Sequence, residues 1–159
     1  MSSSIAQKQI ENAKREIDSA EYLLNVTLRS LKDPHLLVNI LIHVNYALQS
    51  AIEGLLEYDV ERKIISNLSR DIQEREEIFK WKSCKLHHIE QEYITFINKI
   101  KKIIELHEKS PMEFQRGNKY VIADERYRLE PLTTMNVGQD IRMAKSFINR
   151  ICEIIDRKT

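Results

Sequence analysis

One interruption limits how this chain can fold. Apolar residues recur at helical spacing through nearly all of the 159 residues, yet between His107 and Thr134 the pattern stops. The intervening stretch, EKSPMEFQRGNKYVIADERYRLEPLT, holds two of the three prolines, one of the three glycines and a short alternating patch that reads as strand. Long ordered connections in helical proteins are more often binding elements than spacers. The segment is therefore a break in the scaffold and the first place to look for a site.

On either side the helical seams are explicit. Ile10, Ala13, Ile17, Ala20, Leu24, Thr27 and Leu31 step by three and four residues, which predicts one amphipathic helix. Ser4 with Gln7 fits a capping box at its start. Asp33-Pro34 ends this helix and opens the next: aspartate suits an N-cap, and a proline in the first turn gives up only an N–H that has no helical partner. A sharp reversal there gives two antiparallel arms, each about 40 Å long at about 1.5 Å per residue. The second helix, from Pro34 to about Glu61, carries Leu37, Leu41, Val44, Leu48, Ala51, Leu55 and Tyr58, with Leu36, Ile40, Ala47, Ile52 and Leu56 widening the face. A face that broad touches more than one neighbour, which predicts the central helix. Gly54 costs helix propensity and points to close approach of another helix.

Residues 62–109 read as helical, with a break between Asn67 and Ser83. Ile64, Ile65, Leu68 and Ile72 form one apolar set; Leu86, Ile89, Tyr93, Phe96, Ile100 and Ile103 form a stronger one. Ser110-Pro111-Met112-Glu113 repeats a helix-start signal and predicts one more turn. Tyr120-Val121-Ile122 and Tyr127-Arg128-Leu129 can pair as a small hairpin, which must lean on the helices or on a partner. The last helix is expected from about Asn136, with Gln139 as its return cap and Val137, Ile141, Ala144, Ile148, Ile151 and Ile155 as its seam. The expectation is an all-α fold: one domain over residues 1–159, an antiparallel bundle of four or five helices, with an irregular segment over 110–133 that can hold a small β-hairpin.

Composition narrows function chiefly by exclusion. A chain of this length buries a core without metal or disulfide staples, and Cys84 and Cys152 are too few for a disulfide framework. No basic-then-apolar leader opens it, and its longest apolar run, Leu36 to Leu41, is broken by Asn39 and too short for a membrane span. These features point to a soluble cytoplasmic protein with no membrane partner. The net charge of +1 argues against a strong non-specific hold on nucleic acid. The charge is uneven, however: residues 1–79 hold 9 Lys/Arg and 13 Asp/Glu, net −4, and residues 80–159 hold 16 and 11, net +5. Folded together, the halves either compensate each other or leave an electrostatic footprint. The chain has no Walker loop, GxGxxG, GxSxG, HExxH or Glu-x-x-His, which removes the common nucleotide, hydrolase, zincin and di-iron readings. Cys84, His87 and His88 suggest metal, but no second Cys/His pair of that spacing completes a zinc site. No metal or cofactor is expected.

Two candidate sites remain. Arg29 and His35 are separated by five residues. This Arg-x(4–6)-His spacing resembles that of the HEPN ribonucleases, helical bundles that dimerise and gather the arginine and histidine at the interface to cleave RNA without a metal. The resemblance covers mainly residues 5–60. It implies a histidine acting as acid–base group and an arginine stabilising phosphorane charge. Two departures accompany it: Pro34 breaks the helix between the pair, and Ser30 stands where many active members place a polar amide or acid. The run from DPHLL through HEKSPMEF to KYVIADERYRLEPL also resembles a group of archaeal helical proteins of unassigned activity, which implies that the interrupting segment belongs to the scaffold.

The second candidate is a surface. Lys80, Trp81, Lys82, Lys85, His87 and His88 set cations around an indole, and Arg116, Lys119, Tyr120, Arg126, Tyr127 and Arg128 mix cations with phenols. Such residues stack bases and grip phosphate, or anchor a protein interface, or hold a loop down with the aromatics tucked beneath it. The leading expectation is a non-enzymatic binding or assembly module that meets a protein partner or a second copy through the 110–131 segment and the end of a long helix. The alternatives are a metal-independent ribonuclease built on Arg29 and His35, and an RNA or ribonucleoprotein binder that does not cleave.

Overall fold

A computed structural model describes residues 5–156. Ser4 of the expected capping box lies outside them. The chain is mostly helical, with a small three-stranded antiparallel sheet before the last helix. Helix α1 is α-helical over Ile5–Tyr22, passes through one π turn at Leu23–Thr27 and returns to α over Leu28–Leu31. Ala6, Ile10, Ala13, Ile17 and Ala20 are buried as their spacing requires. Beyond them the predicted seam slips. A π turn holds one residue more than an α turn, so the inward face advances by one position. Leu28 packs against the core, and Leu31 is 65% exposed.

Lys32 ends α1 in the left-handed conformation, and the Asp33 carboxylate accepts from the His35 N–H at 3.0 Å. Helix α2 then runs Leu36–Glu61. Its apolar residues are buried on several sides, which makes it the central helix. It lies antiparallel to α1, with Glu16 on His43 and Ala6 and Ile10 against Gly54. A Cβ at Gly54 would stand 2.9 Å from Ile10 Cδ1 and 3.3 Å from the Ala6 carbonyl oxygen, so the glycine does allow the expected close approach.

The next region breaks in two places. Residues 62–71 are not helical, and a second break at 87–90 precedes helix α4, Gln91–Lys109. Between them α3 comprises Ile72–Ile78, a π turn at Phe79–Ser83 and Cys84–Leu86. The first break follows from Lys63, which is left-handed, and from Ile64 and Ile65, whose N–H groups both bond the Asp59 carbonyl. Ile64, Ile65, Leu68 and Ile72 therefore share no helical face. In the stronger set, Ile89, Tyr93, Phe96, Ile100 and Ile103 are buried and Leu86 is not.

The expected helical turn at Ser110–Glu113 is instead the entry to a strand. Ser110 Oγ accepts from the Met112 N–H at 3.2 Å and lies 2.6 Å from the Ala123 carbonyl oxygen, joining the two strands at the open end of their ladder. Strand β1 is Met112–Arg116, β2 Lys119–Ala123 and β3 Leu129–Leu132, ordered β1-β2-β3. The expected hairpin is thus one side of a three-stranded sheet, and Tyr127 sits in its loop in the left-handed conformation rather than in a strand. Helix α5 spans Thr134–Asp156 and starts earlier than expected, because Thr133 rather than Asn136 caps it, its Oγ1 accepting from the Asn136 N–H at 3.1 Å. The whole predicted seam of α5 is buried.

Helix α5 runs antiparallel to α4, marked by Tyr93–Ser146 and Lys99–Asp140. Glu21–Lys145 and Glu76–Lys101 join the acidic first half to the basic second half. No described helix is long and apolar enough to cross a membrane.

Candidate functional site

The sheet rests against the corner between α1 and α2. The His35 ring meets Tyr120 edge-on at 5.1 Å between centroids. Tyr120 donates to Glu113 at 2.7 Å, and the other Glu113 oxygen lies 2.6 Å from His107 Nδ1. Burial, then the bond to Glu113 and the charges of Glu113 and Asp33, push the Tyr120 phenol up to about 12. This chain ties β1 and β2 to both α2 and α4. Arg29 lines a cavity of about 420 Å³ with Leu28, Lys32, Pro34, Asn118 and Thr134, and no carboxylate stands in its wall. Arg29 and His35 thus flank one turn, each beside the β1–β2 hairpin, Arg29 through Asn118 and His35 through Tyr120. Sequence spacing had no means of placing the interrupting segment at this corner.

Register then sorts the sheet into two faces. Glu113, Gln115, Tyr120, Ile122, Glu130 and Leu132 share the inner one, with Ile122 and Leu132 in the core. The outer one reads in rows: Arg116 opposite Lys119, then Phe114, Val121 and Pro131, then Met112, Ala123 and Leu129. The central Val121 and Ala123 are buried, whereas Met112 is 49% and Leu129 47% exposed. The Arg116 guanidinium lies over the Phe114 ring at 5.4 Å. Gly117, with φ +63°, occupies the first central position of the two-residue turn, where a hairpin needs a positive φ. Of the expected contact residues here, Arg116 and Lys119 face outward and Tyr120 turns inward as a clamp.

The remaining candidates separate from this face. In the β2–β3 loop, Asp124 accepts from the N–H groups of Arg126 and Arg128, both at 2.8 Å, and from Arg128 Nε at 2.7 Å. The backbone bond from Arg128 leads in holding the Asp124 carboxyl below its ordinary range. Arg128 is therefore engaged in shaping the loop, while Tyr127 is 68% exposed. Trp81 is 69% exposed, with the Lys85 ammonium 5.2 Å from its ring, so it is not tucked beneath the loop. Lys82 is exposed beside it. This indole lies by the start of α4 and the sheet by its end, about 28 Å along the 19-residue helix. His87 is structural: its Nε2 lies 2.7 Å from the buried Asp59 carboxylate, which also accepts from Ser83 Oγ at 2.6 Å. Cys84 lines the same pocket as Trp81, its thiol pushed up to about 12 by burial. Among the described residues no group of three or more His, Cys, Asp or Glu is placed to hold a metal ion. Neither the Asp59 nor the Glu113 cluster carried a local sequence signal, since each joins separate elements. Comparison with protein-family models, curated proteins and solved structures finds no match for the chain.

Proposed function

We propose that this protein is a non-enzymatic binding or assembly module, a HEPN-like helical bundle that holds a small sheet out to a protein partner or a second copy. The observation that carries this reading is the outer face of the sheet. Met112, Leu129 and Pro131 are exposed on it, Phe114 is half-buried, Val121 and Ala123 at its centre are buried, none of them is a carboxylate, and Arg116 and Lys119 border its tip. A sheet face turned to water is ordinarily polar, whereas an apolar patch with a charged rim has the make-up of an interface. The His35–Tyr120–Glu113–His107 chain fixes the sheet to the helices, which lowers the ordering cost of docking. The test compares wild type with Phe114→Ser and Leu129→Ser. Both variants should keep the helical circular-dichroism spectrum and lose a bound protein that wild type retains and that rebinds when purified. Retention of the same protein by both variants would sink the reading.

The Arg29–His35 corner favours a second reading, metal-independent RNA cleavage with Arg29 steadying phosphorane charge and His35 moving a proton. It predicts cleavage of single-stranded RNA in EDTA that is lost in Arg29→Ala and in His35→Ala. The exposed Trp81 among lysines favours RNA binding without cleavage, in which case retention on RNA falls steeply with added salt.

A further inference from the structure

We infer that the partner docks as an added strand on the outer edge of β1, its apolar side chains extending the outer face and one carboxylate seated by Arg116 and Lys119; this rests on the binding reading above. The ladder identifies the open edge. No strand lies beyond β1 in the sheet order. In a two-residue hairpin the closing pair, here Arg116 and Lys119, exchanges backbone bonds, and alternate residues do so thereafter. Phe114 and Arg116 therefore turn their N–H and C=O groups toward β2, and Glu113 and Gln115 turn theirs away from the sheet. The same alternation turns Leu129 and Pro131 outward on β3. Pro131 has no N–H to offer there, which blunts that edge and leaves β1 as the one able to accept a strand.

Charge identifies the occupant. Arg116 and Lys119 stand directly opposite each other, both exposed, in an arrangement where like charges repel. Neither makes an ion pair with a described residue. A carboxylate on the incoming strand, level with them and on the same face, relieves that repulsion, while apolar residues further along cover Phe114 and Met112. A second copy of β1 does not supply this. An antiparallel copy would bring Met112, Phe114 and Arg116 to this face, a cation and no acid, and a parallel copy would bring Gln115 and Glu113, whose carboxylate is already held by Tyr120 and His107. The occupant is an extended segment of another protein, acidic at one outward position and apolar at the next two, bound by main-chain pairing along the edge.

The test uses the full chain, labelled with nitrogen-15, and the capped peptide acetyl-Glu-Thr-Val-Thr-Val-Thr-amide. The Glu113 and Gln115 amides should shift and gain protection from exchange, with binding weakened by salt. Reversing both charges (Arg116→Glu with Lys119→Glu) should weaken binding about tenfold, and replacing the peptide's glutamate by lysine should restore it. Peptide contacts on Met112 and Leu129 with the Glu113 and Gln115 amides unmoved would overturn edge pairing while leaving the apolar-face reading intact. Peptide-independent dimerisation that protects those same amides would overturn the foreign strand in favour of a second copy. Silence across the sheet would overturn the inference outright.

Discussion

Tyr120 is the residue on which the sheet's attachment turns. Its phenol is raised from 10.0 to about 12, so the protonated form is favoured in the folded state. The stability this contributes is fully present below pH 10 and is lost as pH rises through the folded value. Wild type should therefore lose stability between pH 10 and about 12 relative to Tyr120→Phe, as measured by urea titrations across that range. Near neutral pH the same substitution should cost about 1 kcal/mol for the lost bond to Glu113. Gly54 sets two effects against each other. Alanine there gains about 1 kcal/mol in helix propensity, but the new methyl meets Ile10 and the Ala6 carbonyl, and overpacking costs about 1–3 kcal/mol. The contact with backbone decides the sign, because α1 itself must shift. Gly54→Ala should be destabilised by about 1 kcal/mol, and an Ile10→Val background, which removes the nearest atom but leaves the Ala6 carbonyl in place, should relieve only part of that.

Among the elements, α3 depends most on a single polar joint. Asp59, at the end of α2, is fully buried and takes both Ser83 and His87. Asp59→Ala should cost about 3 kcal/mol by leaving both groups without their partner, and should lower the urea midpoint with its slope unchanged. This joint also shows what could be read in advance. Helices α2, α4 and α5 were legible because each repeats a buried step of three and four residues. Strand β1 was not: Ser110-Pro111 serves a turn as well as a helix start, and the bond from Ser110 to Ala123 that decides between them is non-local. The two π turns left no mark in the pattern beyond the displaced Leu31. Arg116 and Lys119 were visible as cations, but only the register sets them face to face. Tyr120 and His87 looked like surface residues until Glu113 and Asp59 came up beside them from other elements.

Taken as a whole, the molecule is arranged around α2, which touches all four other helices. Its amides over residues 41–55 should exchange only through global unfolding, while those of Glu113 and Gln115 exchange fastest within the strands. Hydrogen exchange under native conditions checks this, and slower exchange in α4 than in α2 would contradict it. The π turn in α1 has a further consequence, for tolerance of length. A π turn is one residue of slack. Removing the exposed Asn25 should let α1 close into a regular helix with Leu28 still on the core and the Asp33 turn in place. Removing the equally exposed Tyr46 from α2 should instead rotate everything beyond it by about 100° and carry Leu48, Leu55 and Leu56 off the core. Chain length is a free variable in the first helix and a fixed one in the second, and a scan of single-residue deletions read by folded yield would mark where one regime gives way to the other.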